Sequence, residues 1–167
     1  MYIHCDSTTA VFYVTQGKEG IIMADLVKDL FTINHKVVWT IGPRSSVYDA
    51  IAFMADKEIG ALVVVEQKKV VGIITERDYA RKIVLQNKSS RETPVSEIMT
   101  ERVIYVHPEQ TIEECMVLMT EKHVRHLPVL DGNRLCGMVS IGDVVSVLIS
   151  KKDFIIDQLT QYISGPQ

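Results

Sequence analysis

The sequence contains no apolar run near the ~20 residues that a membrane-spanning helix requires, and this excludes a chain built around such a span. At a formal net charge of −3 and a pI near 5.9 it also lacks the clustered basic face of a nucleic-acid footprint. Cysteine is scarce. Cys5, Cys115 and Cys136 show no metal-ligand spacing, and three thiols give no paired disulfide framework, which points to a reducing compartment. The start lacks the charged-then-apolar order of a signal peptide, so a soluble, cytoplasmic protein is expected. Catalytic signatures are missing as well. There is no Gly-x-Ser-x-Gly elbow, no phosphate loop ending in Gly-Lys-Ser/Thr and no Gly-x-Gly-x-x-Gly after a strand, so no catalysis is expected. What is present is 47% apolar and 23% charged residues over 167 positions. That length fits one compact unit of two halves, since a domain is roughly 100–150 residues.

The halves are visible as a repeat. Gly72-Ile73-Ile74-Thr75-Glu76-Arg77-Asp78 recurs as Gly137-Met138-Val139-Ser140-Ile141-Gly142-Asp143, 65 residues later. At that offset residues 40–83 align with 105–148 without a gap. Pro43 meets Pro108, Met54 meets Met119, Leu62 meets Leu127 and Val64 meets Val129, so the duplication fixes the architecture. In each copy a glycine opens an apolar strand, and a hydroxyl residue followed three positions later by aspartate opens a helix. A helix N-terminus carries unpaired N–H groups and partial positive charge, so it can receive an anion, while the carboxylate can hold a neighbouring hydroxyl. A sugar phosphate suits both. Ser46–Asp49 and Thr111–Glu114 have the same spacing but read only as helix caps. The difference is that Thr75–Asp78 and Ser140–Asp143 follow buried strands directly, where α/β folds place ligands.

Along the chain, residues 1–22 fall outside the repeat and read as an extension. Thr8–Thr15 within it is strand-like in composition, and Met23 is a natural start for the amphipathic pattern that leads into the first repeat. Residues 23–90 form the first repeat with a leading helix, 91–152 the second, and 153–167 a C-terminal helix and tail whose helix covers Phe154–Ile163. The order expected in the first repeat is strand Val37–Ile41, helix from Ser46 to about Lys57–Gly60, hairpin strands Ala61–Glu66 and Val70–Thr75 around Gln67-Lys68-Lys69, then a helix to about Gln86. Asn87–Pro94 is a polar linker, after which Val95–Met99 makes a short element. The second repeat has the same order, with Ile112, Cys115, Met116 and Met119 as a core-facing helix stripe and a hairpin around Asp131-Gly132-Asn133-Arg134. Cys115 and Cys136 align with Ala50 and Val71 and read as small core side chains. Trp39, the single tryptophan, reads as core before ligand platform. His123-x-x-His126 has the look of a metal pair, but no third or fourth ligand accompanies it, so no metal is expected.

Taken together, the ungapped duplication, Gly60-Ala61-Leu62-Val63-Val64, Gly72–Asp78, Arg125-His126-Leu127-Pro128-Val129 and Gly137–Asp143 resemble a tandem pair of cystathionine-β-synthase (CBS) domains, a Bateman module of the stand-alone kind. The resemblance covers residues 36–150. It implies an α+β fold of two pseudo-twofold-related strand-helix-strand-strand-helix motifs, each a three-stranded sheet flanked by helices. It also implies a regulatory module that binds adenosyl nucleotides in two clefts between the repeats, with AMP or NAD foremost and ATP or S-adenosylmethionine as further candidates. For the first cleft it implies Asp78 at a ribose, Thr75 and Arg77 at a phosphate, the backbone of Val124-Arg125-His126 at the adenine, and Met99 and Val103 as lining. For the second it implies Asp143 and Ser140 with Ile59-Gly60-Ala61 and Val38. Gly142 replaces Arg77 there. A homodimer is implied, with a regulated partner protein open. Three other readings remain: a dimerisation module without ligand, a thiol regulator acting through Cys115 or Cys136, and a small hydrolase that turns the nucleotide over.

Overall fold

A computed structural model describes residues 2–3, 25–34 and 37–164. Most of the extension, including Cys5 and Thr8–Thr15, lies outside the described residues, as do Met23 and the last three positions. The fold mixes helix and strand, with small sheets flanked by helices. The described residues form two compact units, one of residues 2–3, 37–105 and 128–138, the other of residues 25–34, 106–127 and 139–164.

In the first unit a four-stranded sheet runs in the order β1 (Tyr2–Ile3), β2 (Val38–Ile41), β3 (Ala61–Glu66), β4 (Lys69–Thr75). Strand β2 is parallel to β3 and is joined to it through helix α2 (Val47–Lys57), while β3 and β4 form an antiparallel hairpin. The hairpin turn sits at Gln67 and Lys68, which take φ of +48° and +66°, the left-handed pair that a tight two-residue turn demands. β3 is central. Its buried run from Ala61 to Val64 results from having both faces covered. Leu62 and Val64 join Ile74, Met54, Val47 and Ile98 in one apolar cluster, while Val63 joins Val38 and Leu135 in another. Trp39 packs edge-on to Phe53 at 5.4 Å, with the Lys57 ammonium 5.0 Å from its ring centre. Tyr2 and Ile3 pair antiparallel with Trp39 and Val38, so part of the stretch read as an extension supplies an edge strand.

Helix α2 starts at the Ser46 cap, whose hydroxyl accepts the Asp49 N–H at 3.0 Å, and ends at Glu58 in a left-handed conformation. The second copy repeats both devices on α5 (Ile112–Lys122), capped by Thr111 and ended by left-handed His123. Thr75 likewise caps α3 (Glu76–Tyr79), but the regular helix expected to Gln86 gives way to a π-helical turn over Ala80–Val84. There Leu85 N–H bonds the Ala80 carbonyl at 3.2 Å and Lys88 N–H the Ile83 carbonyl at 3.1 Å. The linker then docks, with Val47 N–H donating to the Thr93 carbonyl at 2.9 Å, and leads into α4 (Val95–Ile98).

The second unit is helical, with α1 (Val27–Asn34), α5 and α6 (Ile141–Ser164). Val27 N–H bonds the Gln110 carbonyl at 2.9 Å and Ile112 N–H the Asp25 carbonyl at 3.1 Å, which ties the starts of α1 and α5 together. Lys151 of α6 clasps the same place, its ammonium 2.7 Å from Asp25 and 2.8 Å from Glu113. The hydrogen bonds to these carboxylates raise the Lys151 pKa despite burial, which is the largest single effect and acts the other way. The hydrogen bond from Lys151 lowers that of Glu113. Three expectations need correction. The helix opened by Ser140 and the one expected at Phe154–Ile163 are a single 24-residue helix, because no proline, and no glycine after Gly142, interrupts it before Ser164. The three-stranded sheet expected in the second copy is reduced to β5 (His126–Asp131) and β6 (Arg134–Ser140). Among the residues aligned with β2, only Val106 makes a bridge, the chain having just turned after Thr100 pairs with Ile73 of β4. Met116 is exposed, whereas Ile112, Cys115 and Met119 are buried, so the core-facing stripe of α5 is narrower by one residue.

Candidate functional site

Both repeats build the same corner where a hairpin strand runs into a helix. In the first, Asp78 Oδ2 accepts the Thr75 N–H at 3.1 Å and the Thr75 hydroxyl at 2.7 Å, while Asp78 N–H returns to the Thr75 hydroxyl oxygen at 3.2 Å. In the second, Asp143 Oδ2 accepts the Ser140 N–H at 2.8 Å and its hydroxyl at 2.7 Å, and Asp143 N–H donates to the Ser140 oxygen at 3.3 Å. Each corner is also sewn to the start of its own hairpin. Glu76 N–H donates to the Gly60 carbonyl at 3.2 Å, and Ile141 N–H donates to the Arg125 carbonyl at 2.9 Å, at aligned positions of the two copies. These contacts matter for what the corner can bind. Two of the helix N–H groups expected to receive an anion are already engaged in each copy, and the hydroxyl protons of Thr75 and Ser140 are donated to aspartate. Negative charge on a ligand must therefore be met mainly by side chains.

One such side chain escaped sequence reasoning. Lys82 places its ammonium 2.8 Å from Asp78 Oδ1 and donates to the Ile98 carbonyl at 2.6 Å. The i, i+4 spacing from Asp78 was the signal available. The aligned residue in the second copy is Val147, so the corners differ at Lys82 as well as at Arg77 and Gly142. A carboxylate offers about four acceptor sites. With two used on Oδ2 and one on Oδ1, Asp78 retains capacity for a ligand hydroxyl.

The other expected site residues are spread around these corners. In register, Ala61 faces Thr75 across the hairpin, with Gly60 and half-buried Ile59 just before it. Arg77 is exposed at the first turn of α3. Val38 is buried with Val63 and Leu135. Met99 lies across Gly72, where a β-carbon would come within 2.6 Å of its sulfur. Val103 is half-buried in the turn after Thr100, its N–H 3.0 Å from the Glu101 carbonyl. In the second copy Val124 comes directly after the His123 cap, Arg125 is exposed and half-buried His126 opens β5. The structure thus brings Thr75, Asp78, Gly60 and Ala61 together at one corner, and Ser140, Asp143 and Arg125 at the other.

Burial, assisted by the nearby Glu114 carboxylate, pushes the Cys115 thiol up to about 11, which suppresses the reactive thiolate. Cys136 is buried and donates weakly to the Arg134 carbonyl at 3.4 Å. Among the described residues no group of three or more His, Cys, Asp or Glu could hold a metal ion, and no helix is long and apolar enough to cross a membrane.

Comparison with known proteins places these features. The CBS domain family profile matches residues 27–85 and 95–150. The chain is 46% identical over 125 residues to "CBS domain-containing protein CBSX3, mitochondrial" of Arabidopsis thaliana, covering 72% of this chain and 61% of the plant protein. It thus spans less than two thirds of that relative. The solved structure of a putative signal-transduction protein with CBS domains from Burkholderia ambifaria is 51% identical, with a TM-score of 0.73 over 75% of this chain and 94% of that one. The CBS domain pair of protein MJ0100, solved in complex with 5′-methylthioadenosine and S-adenosyl-L-methionine, is 30% identical with a TM-score of 0.67, covering 75% and 97%. With the ungapped duplication, the paired capped corners and both profile matches in one chain, this protein belongs to the CBS-domain family and carries a tandem pair of the repeats.

Proposed function

We propose that this chain is a regulatory module that binds an adenosyl ligand at its two capped corners and performs no catalysis. One observation carries the reading: an aspartate held in a capping box at the end of a buried strand, built twice, in a family one of whose members holds adenosine compounds. Asp78 and Asp143 are proposed to accept ribose hydroxyls, with Ser140 and Thr75 fixing those carboxylates. Because the Thr75 hydroxyl proton is already donated, the phosphate contact falls to Arg77. Met99 and Val103 enter as further contacts of the Asp78 ligand. AMP and NAD are the first ligands to test, with ATP and S-adenosylmethionine after them. Since one relative is named mitochondrial, the proposal is tied to the ligand and not to a compartment.

Small molecules released by denaturing the purified protein, identified by mass spectrometry, are expected to include an adenosine compound. Arg77→Ala is expected to weaken AMP about ten-fold, or ~1.4 kcal/mol, while leaving adenosine nearly unchanged, because a guanidinium forks charge-assisted bonds onto phosphate. Equal losses for both ligands would remove Arg77 from the phosphate. The high thiol pKa of Cys115 counts against a redox regulator acting through that residue.

A further inference from the structure

We infer that α6 carries, beside the face that packs on its own fold, a second apolar face that binds the same face of a second copy of this chain, the two helices running antiparallel. The inference is independent of the adenosyl reading, and it adds to the expected self-association a surface, an orientation and a register. With about 3.6 residues per turn, the two faces separate by position. The inner one holds buried Val144, half-buried Val147, Leu148 and Phe154, and Lys151 of the clasp. About a third of a turn away lie Val145, Ile149, Lys152, Ile156, Leu159 and Ile163, all exposed. Five of these six are aliphatic, on a helix of 24 residues that runs about 36 Å. A helix that is apolar on two sides is covered on both when its surroundings are complete.

Spacing and charge identify what covers it. The six positions are separated by 4, 3, 4, 3 and 4 residues, which is the alternation of a seam between two paired helices. That spacing reads the same in both directions, as a twofold axis between identical helices requires. Laid antiparallel and centred on the level of Phe154, Val145 meets the partner's Ile163, Ile149 meets the partner's Leu159 and Lys152 meets the partner's Ile156, so one centre satisfies all six positions. The Lys152 stem then covers an isoleucine, while its ammonium lies between the partner's Asp153 and the partner's Asp157, both exposed. Laid parallel in register, Lys152 stacks instead on the partner's Lys152, two like charges in one layer of the seam. Charge therefore selects the antiparallel arrangement, and the same match of lysine to two acids favours a copy of this helix over an unrelated apolar one.

The test uses the full chain. Ile149→Cys and Leu159→Cys proteins are mixed, left to exchange subunits and mildly oxidised, and linked peptides are identified by mass spectrometry; native Cys115 and Cys136 are buried. A disulfide between positions 149 and 159 is expected in the mixture, and it can only join two chains because each variant carries one of the two new thiols. Links of 149 to 149 or of 159 to 159 in the separate variants make the pairing parallel and overturn the inference, as does the absence of any link between seam positions. Mass in solution is the second readout. Ile156→Lys alters a side chain that is exposed in the single chain, so circular dichroism should show an unchanged fold, and it sets a second lysine against the partner's Lys152. It is expected to raise the dissociation constant for self-association ten-fold or more, measured by light scattering on dilution. A variant that keeps the wild-type mass across the dilution series shows that other surfaces hold the copies together, and overturns the inference.

Discussion

Single residues carry most of the asymmetry between two copies that share one plan. Lys82 and Val147, Arg77 and Gly142 occupy equivalent positions on equivalent helices, and only the first member of each pair brings charge. Gly72 illustrates the opposite case, a residue chosen for what it lacks. Its missing side chain lets Met99 lie directly on β4, with the Met99 sulfur, γ-carbon and β-carbon 2.6, 3.0 and 3.3 Å from where a β-carbon would stand. Gly72→Ala is therefore expected to cost about 1–3 kcal/mol of stability, since methionine is flexible but its β-carbon cannot retreat far. Urea unfolding of the two single variants and the double variant checks this. The cost of Gly72→Ala should fall by half or more when Met99→Ala has already cleared the space, and an undiminished cost would place the strain elsewhere.

At the scale of elements, the start of α6 is a capped corner while its middle is a clasp. Lys151 reaches back to Asp25 and Glu113, and removing it as Lys151→Met is expected to cost about 1 kcal/mol, the pair being largely solvent-exposed on the carboxylate side. The pH dependence has a definite sign. Glu113 has its pKa lowered in the folded protein, so its contribution is present above the ordinary carboxylate value and is lost as pH falls through the lower folded value. Melting curves of wild type and Lys151→Met should therefore converge in acid, below about pH 4.5, the unperturbed value for glutamate. A constant gap from neutral to acid pH would contradict the clasp. Elements also show what the sequence could and could not disclose. The hairpins, the caps at Ser46, Thr75, Thr111 and Ser140 and the buried β3 were legible, because periodicity and capping chemistry are local. The π-helical turn at Ala80–Val84, the pairing of Tyr2–Ile3 with β2 and the loss of a full first strand in the second copy depend on which distant backbone groups are left to bond, and no local pattern records that. The same holds at the corners. Asp78 and Asp143 were legible from the repeat, whereas Lys82 came into view only with the Ile98 carbonyl beside it.

At the scale of the whole molecule, the chain keeps apolar side chains in water that a partner would cover. Ile155, Ile156, Leu159 and Ile163 are exposed on the C-terminal half of α6, and this supports the expectation of at least a homodimer. Light scattering at micromolar concentration should report at least twice the chain mass of 18.8 kDa, and a particle of 18.8 kDa would contradict it. The central claim is that two capped aspartates, one per repeat, hold an adenosyl ligand. Its most direct test is calorimetric titration of AMP, NAD and S-adenosylmethionine into the wild-type protein and into the double variant Asp78→Ala/Asp143→Ala, with melting curves to show that both are folded. At least one of these ligands should bind the wild type and none should bind the double variant; binding of equal strength to both proteins, or to neither, would contradict the account.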